Sequence, residues 1–447
     1  MNAQRLLNDV ARQLKTKKLA GWDLYLDQSQ TIKAEARDNA VESLSKAVSH
    51  GLGVRAVHKG AVGFAYTTDF GKPALKSAVD AAVGAAKASS PDEFAKVAPN
   101  TPIPANDLEL IDPALAALSD KDKVDLALQL ESMTRRSDRR ITRVRNAQYH
   151  EARRTVTIWN SEGVRREAEC VQSVLSVMAV AETSGDSQVG YDFVESRFME
   201  DLNPGRVARK AALNAVEQLG AKPIPSRTGP VVLDALAACE MLGVLTPSFC
   251  ADSVQKKRSW LDSKVGKKVF SPLITIYDNG LLPKGTGTFP FDDEGVPRQK
   301  TTLVREGILE NFLYDTYTAA KAGTKSTGNC TRSAGFQSGP SVGISNCYIR
   351  RGSFSLKDLL SELRNGLFIT DLAGVHTANP VSGEFSLGCS GFVVENGRRA
   401  GPFNGMVISG NLFDLFLRVE ALGNDMRFVN GVGSPSLLVS KASVAGT

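Results

Sequence analysis

Histidine is scarce in this chain. Only His50, His58, His150 and His376 occur, and no two lie close enough in sequence to form a local zinc-ligand pair. Any metal site would have to be assembled from distant segments. The six cysteines (Cys170, Cys239, Cys250, Cys330, Cys347 and Cys389) include no Cys-x-x-Cys pair. They read as reduced core thiols rather than as disulfides or a zinc knuckle. No run of about 18 apolar residues exists, so no transmembrane helix is expected. The N-terminal segment also lacks the continuous apolar stretch and small-residue cleavage site of a signal peptide. Its Leu6, Leu7, Val10 and Leu14 predict an amphipathic helix instead, and the chain reads as cytoplasmic.

What is present fits a globular protein of two domains: 447 residues, 42% hydrophobic and 23% charged. The net charge of +6 is mild, but positive charge concentrates in Thr134–Arg145, followed by Arg153, Arg154, Arg165 and Arg166. Alternation in this region predicts strands whose arginines share one sheet face. The ordinary reading is a solvated outer face. The sharper one is a basic lining for an acidic peptide or nucleic acid. No helix-turn-helix, zinc finger or aromatic-interleaved RNA motif accompanies it, so nucleic acid is not the expected partner.

Along the chain, the segment from Trp22 to Arg37 reads as two strands around a polar turn, and that from Ser45 to Thr67 as further short strands. Helices are predicted over Lys72–Ser89, Lys123–Arg136 and the segment after Asn203, which is a plausible N-cap with Pro204 at the first helical position. Residues 97–113 read as a proline-containing loop and 221–230 as a linker. The second half is rich in short strands and Gly turns, with Glu306-Gly307 and Asn396-Gly397 between strand-like runs. The fold class is therefore α+β. An N-terminal α/β domain of helices and Arg-rich antiparallel strands spans 1–222, and a β-rich domain with a few helices spans 228–447.

Several motifs have ordinary explanations. Gly339-Pro340-Ser341-Val342-Gly343 fits G-x-S-x-G, with Asp371 and His376 following in triad order. A nucleophile elbow needs a strand before it and a helix after it, and here a polar loop precedes while a strand pattern follows. Asp292, Asp293 and Glu294 in FPFDDEGVPRQ lack the alternate spacing of a calcium loop and read as a polar turn. His376 sits in a small-residue, proline-interrupted loop, where side chains meet ligands more often than in a core. The stretch LDALAACEMLGVLTPSF (Leu233–Phe249) predicts a helix N-capped by Asp234 and apolar all round apart from Glu240, directly after Cys239. A carboxylate on such a helix is costly unless something pairs with it or protonates it.

Five stretches together resemble the TldD/PmbA family: FPFDDEGVPRQKTTLVREGIL, KSTGN, NPVSGEFSLGCSGFVVENG, GNLFDLFLRVEALGNDMRF and the terminal SPSLLVSKASVAG. The first half fits as well, through Thr67–Asp69 and SSPDEF, so the resemblance covers nearly the whole chain. The family has two kinds of subunit. The metal-bearing TldD kind carries H-E-x-x-x-H on a helix opening its C-terminal domain, with a cysteine from a late loop as third ligand. The TldE or PmbA kind lacks these ligands and pairs with TldD to form a peptidase acting on unfolded peptides.

Laid on this sequence, that motif puts Cys239 at the first histidine, Glu240 at the glutamate and Val244 at the second histidine. The late loop Asn430–Leu438 has no cysteine. The resemblance thus implies a subunit with no catalytic residue and no metal of its own, the zinc lying on a TldD-type partner. It further implies a peptide chamber between subunits, where extended peptides bind by adding to a sheet edge. His376, Asp292, Asp293, Glu294, Ser382 and Glu384 are its expected lining. In the absence of that partner, self-pairing of the isolated chain is the alternative assembly. The rival readings are a partner-independent peptide- or nucleic-acid-binding modulator of the DNA gyrase type, and a stand-alone hydrolase using Ser341 or Cys389.

Overall fold

A computed structural model describes residues 3–105 and 108–446. Part of the loop expected over 97–113 falls on 106 and 107, outside the described residues. Helix α1 (Ala3–Lys15) precedes a six-stranded antiparallel sheet whose spatial order is β3-β2-β1-β4-β5-β6. Its strands are β1 (Gly21–Arg37), β2 (Ala40–His58), β3 (Ala61–Thr67), β4 (Ile141–Asn160), β5 (Arg165–Thr183) and β6 (Asp186–Ser196).

The strands are longer than the sequence reading expects. Trp22 to Arg37 is not two strands around a turn: β1 is one strand, paired to β2 from Gly21↔Val57 to Arg37↔Ala40. The reason lies in how the sheet is covered. At one end α1 and α2 (Lys72–Ala88) bury Leu7, Val10, Leu14 and Val79 against Leu24, Leu26, Leu52 and Val54. At the other end, beyond the single turn α3 (Pro113–Ala116), α4 (Asp120–Ser137) and α5 (Pro204–Glu217) lie on Ile32, Ala34, Tyr149 and Leu175. Between the two helical layers the sheet is bare. There Gln28, Gln30, His50, Arg153 and Thr155 line a shallow cavity of about 140 Å³. The polar residues that imitate a turn are the solvated middle of a continuous strand.

Both edge strands of this sheet use a glycine to admit a helix. A Cβ on Gly63 of β3 would stand 2.0 Å from the Ala82 carbonyl oxygen of α2. One on Gly190 of β6 would stand 2.2 Å from both the Ala211 oxygen and the Ala215 nitrogen of α5. The Ala-rich stripes of these helices come down directly on the strand backbone, which only glycine permits.

The Arg-rich segment does not form one sheet face. Arg135 and Arg136 end α4, Arg139 and Arg140 sit in the following turn, and Arg143 and Arg145 enter β4. Several are matched by carboxylates: Arg135 to Glu131 at 2.7 Å, Arg140 to Asp138 at 2.8 Å, Arg143 to Glu182 at 2.5 Å and Arg154 to Asp27 at 2.8 Å.

The second half begins with β7 (Arg227–Leu233) and α6 (Ala235–Leu245). β7 lies inside a six-stranded sheet, in the order Arg398–Asn411, Glu384–Glu395, Gly366–Ala373, β7, Leu437–Ala445, Val419–Leu422. Val407↔Ala445 pairing joins the first of these to the fifth and closes the sheet on itself. A further sheet orders Ile308–Leu309, Lys300–Arg305, Ile276–Asn279, Cys347–Ile349, Val432–Ser434 and Arg427–Val429. Helix α6 packs Ala237, Ala238, Met241, Leu242 and Leu245 into a core with Leu233, Phe249, Ile276, Leu303 and Ile369, drawn from both sheets. That accounts for its nearly uniform apolar surface.

The two Gly turns are tight hairpins with left-handed backbone at Glu306 (φ 48°) and Gly307 (φ 81°), and at Asn396 (φ 51°) and Gly397 (φ 75°). All six cysteines are free, and all but Cys170 are buried. No helix among the described residues is long and apolar enough to cross a membrane.

Candidate functional site

Helix α6 starts as its sequence predicts: Asp234 Oδ1 accepts from the Leu236 N–H at 3.0 Å. The three motif positions then diverge. Cys239 is 1% exposed, and its thiol donates to the Arg427 carbonyl at 3.2 Å. Burial pushes that thiol up to about 12, so it stays protonated rather than becoming a thiolate ligand. Val244 is half-buried against the core and has no donor atom. Glu240 alone reaches the open side of the helix. Partial burial, and then the charge of Asp371, raise its carboxyl to about 7.

Asp371 lies on the adjoining strand Gly366–Ala373, and burial raises its carboxyl too. His376 is exposed on the turn Val375–Thr377, which packs beside α6. Ser382 and Glu384 follow on the same excursion, both exposed, with the Ser382 hydroxyl donating to Glu384 at 3.3 Å. Asn379 shapes this loop by accepting from the Val381 and Ser382 N–H groups at 2.8 and 3.1 Å. The structure thus brings Glu240, Asp371 and the His376 loop to one face of α6. Among the described residues no group of three or more His, Cys, Asp or Glu is placed to hold a metal. The residues present do not fit a catalytic zinc, which needs three protein ligands and an open position.

The acidic triplet lies elsewhere, and the expectation that it lines a chamber is corrected for two of its members. Asp292 is 0% and Glu294 3% exposed. Asp292 accepts from the N–H groups of Glu294 and Val296 at 3.0 Å each and of Cys330 at 2.9 Å. Glu294 accepts from Arg55 and from the Thr316 N–H, both at 3.0 Å. Burial raises both carboxyls.

Asp293 accepts from the Tyr25 hydroxyl at 3.0 Å and the Arg332 N–H at 2.8 Å. The triplet locks its loop onto the first sheet: Arg55 pairs with Asp23 of β1, and Arg332 Nη2 meets the other Asp23 oxygen at 2.8 Å. Around these charges Tyr25, Val156 and Ile158 of the sheet enclose Phe291 and Phe336. Inward-facing carboxylates of this kind fix a junction.

The hydrolase residues are no better placed for catalysis. Ser341 opens the two-residue strand Ser341–Val342, after a turn at Gly335–Gln337, and its hydroxyl donates to the Thr331 carbonyl at 3.2 Å. No helix follows to make an elbow. Cys389 is 5% exposed, and burial raises its thiol to about 11.

A cleft of about 420 Å³ separates the edge strand β6 from the edge strand Arg427–Val429, lined by Phe193, Glu195, Asn203, Arg206, Arg427 and Phe428. Arg427 spans it, donating to Asp192 and to the Phe193 carbonyl at 3.1 Å each, while its own carbonyl accepts the Cys239 thiol. Sequence reasoning missed this cleft and the Glu240–Asp371 pairing. Nothing local signals either, because both depend on which distant strands become edges.

The profile of the PmbA/TldA metallopeptidase C-terminal domain matches residues 226–446, that of the central domain 113–219, and that of domain 1 22–86. The chain belongs to the PmbA/TldD family. It is 29% identical to the metalloprotease PmbA of Escherichia coli O157:H7, over 98% of this chain and 95% of that one. It is 26% identical to the TldD homolog of Haemophilus influenzae, a metalloprotease by name, over 95% and 92%. A structure from Thermotoga maritima, described as that of a candidate modulator of a DNA gyrase, superposes with a TM-score of 0.91 at 26% identity, covering 99% of this chain and all of that one. TldE from Thermococcus kodakarensis shares the fold at a TM-score of 0.88 and 23% identity, over 99% and 100%.

Proposed function

We propose that this chain is the non-metal, TldE/PmbA-type subunit of a cytoplasmic TldD–TldE-type metallopeptidase that degrades or trims unfolded peptides. One observation carries the reading. The family match spans the chain, yet the helix that would hold a metal presents a protonated buried thiol, a carboxylate and a valine. Cleavage, with zinc polarising the scissile carbonyl, then belongs to the partner. This subunit contributes a wall of the peptide chamber, for which residues 1–222 and 228–447 act as its two domains.

The cleft between β6 and Arg427–Val429 suits an extended peptide, since both strands are sheet edges and a peptide that displaces the Arg427 side chain from the Phe193 carbonyl can pair with backbone whatever its sequence. His376, Asp293, Ser382 and Glu384 remain the proposed polar contacts. The carboxylate partners of Arg135, Arg140, Arg143 and Arg154 weigh against a phosphate-binding stripe and so against the gyrase-modulator reading.

The test is to co-express this chain with a TldD-type sister carrying H-E-x-x-x-H, purify through a tag on this chain, and assay an unfolded peptide with and without chelator. Chelator-sensitive cleavage by the co-purified pair, absent from either chain alone, is the expected result. Failure to co-purify, or chelator-resistant cleavage by this chain alone, overturns the reading.

A further inference from the structure

Arg427 is held across the cleft beside β6 by a single nitrogen. Its Nη2 donates to Asp192 Oδ1 and to the Phe193 carbonyl, at 3.1 Å each, and its guanidinium carbon lies 5.5 Å from the centre of the Phe193 ring. Among the described residues its Nε and Nη1 have no partner, and both reach solvent. The Arg427 side chain is 28% exposed and that of Asp192 only 4%.

The two ends of this contact are therefore unequal. Arg427 stands on an edge strand over an open cleft of about 420 Å³ and can turn into water. Asp192 is buried on β6, and no other Lys or Arg among the described residues lies within ion-pair distance of it. The other carboxyl within electrostatic reach of Arg427, Asp234, is engaged in capping α6. Glu195, Glu200, Asp201 and Arg206 also line the cleft. Lys284 pairs with Glu200, and Arg197 lies within electrostatic reach of Glu195. These charges nearly balance, so any selection by charge falls to Asp192.

A peptide that adds to β6 takes over the Phe193 carbonyl. Because one nitrogen of Arg427 makes both bonds, that peptide also draws it off Asp192. With a neutral side chain in its place, a buried carboxylate is left without its cation, which is costly. With arginine or lysine there, the carboxylate is matched again. An arginine free to orient can present two nitrogens where Arg427 uses one. We propose that Asp192, the Phe193 carbonyl and the Phe193 ring form a subsite for a cationic side chain, filled by Arg427 until an extended peptide brings an arginine or lysine to replace it. Arg427 is then an internal competitor, and Asp192 sets a preference for basic segments of unfolded peptides. This rests on the peptide reading of the cleft.

The experiment is fluorescence anisotropy of labelled, capped, alanine-rich heptapeptides on the full chain at about 0.15 M salt. Their central residue is arginine, lysine, citrulline or glutamate. The arginine peptide should bind at least about tenfold more tightly than the citrulline one, which keeps the shape and loses the charge. The chain carries a net charge of +6, so non-specific attraction would favour the glutamate peptide instead. Asp192→Asn should make the arginine and citrulline peptides equal. Arg427→Gln, which empties the subsite, should tighten both and keep the preference. Equal wild-type affinities for arginine and citrulline, or a preference that survives Asp192→Asn, overturn the subsite and leave the cleft as a peptide site. Binding of none of the peptides removes the cleft as a peptide site and the subsite with it. Should Asp192→Asn not fold, Arg427→Gln decides, and affinities unchanged in that variant overturn the proposal.

Discussion

Arg332 and Asp23 meet at 2.8 Å, with side chains 1% and 5% exposed, although 309 residues separate them in the chain. Asp23 simultaneously pairs with Arg55, so one carboxylate balances two buried guanidinium groups. Asp23→Asn leaves Arg332 without its carboxylate and Arg55 with Glu294 alone, and breaking a buried pair in this way costs about 3–5 kcal/mol. Arg143→Gln, which removes an exposed pair with Glu182, should leave the midpoint nearly unchanged. Urea denaturation of the two variants checks the contrast, and equal effects would remove the claim that the junction depends on this pair.

Purified protein should hold no stoichiometric zinc. Cys239 is turned to a backbone carbonyl, Val244 has nothing to offer, and Asn430–Leu438 has no cysteine. Elemental analysis after dialysis reads the result directly. About one tightly held zinc per chain would contradict it.

Glu240→Gln should leave hydrolysis by the assembled complex intact, because no set of metal ligands among the described residues stands beside Glu240 to hold a water for it to deprotonate. Its effect on stability should depend on pH. The folded carboxyl titrates near 7, above its ordinary value of 4.5, so between these values the folded chain binds more protons than the unfolded one. Stability therefore falls as pH rises from about 4.5 through 7, and the penalty is complete above that window. The variant removes it, so it should match wild type near pH 4 and exceed it at pH 8. Water on the open side of α6 screens the charge and holds the gain to about 1 kcal/mol. Urea midpoints at the two pH values test this, and a variant less stable at pH 8 would refute the sign.

Gly190→Ala should destabilise the chain more than its single methyl suggests. The new Cβ would meet backbone atoms of α5 at 2.2 Å, and backbone cannot move aside as a flexible side chain can. Overpacking of this kind costs about 1–3 kcal/mol, and Gly63→Ala on the opposite edge strand should behave alike. Gly84→Ala, where a methyl meets nothing within 4 Å, is the control. Its midpoint should stay the same or rise.

Much of this was legible from local pattern. The apolar surface and Asp234 cap of α6, the Asn203 cap and the left-handed turn residues each depend on neighbours in sequence. The long strands were not legible, because Gln28 and Gln30 are polar for a reason that lies in tertiary structure: two helical layers stop short of them. The inward turn of Asp292 and Glu294 was equally hidden. Their partners include Cys330 and Arg55, 38 and 239 residues away, and a cluster of acids looks the same in sequence whether it faces water or an arginine.

The junction also constrains the order in which this chain can fold during synthesis. The first sheet is complete once β6 has emerged, yet the face carrying Tyr25, Val156 and Ile158 is covered only when Phe291 and Phe336 arrive. At ordinary elongation rates that interval is roughly seven to thirty seconds. For most of it, Arg55 and Asp23 have each other but neither Glu294 nor Arg332, and an aromatic and aliphatic patch stands open beside the ribosome. The nascent first half is therefore a natural client for a chaperone that shields apolar surface until the second half closes over it.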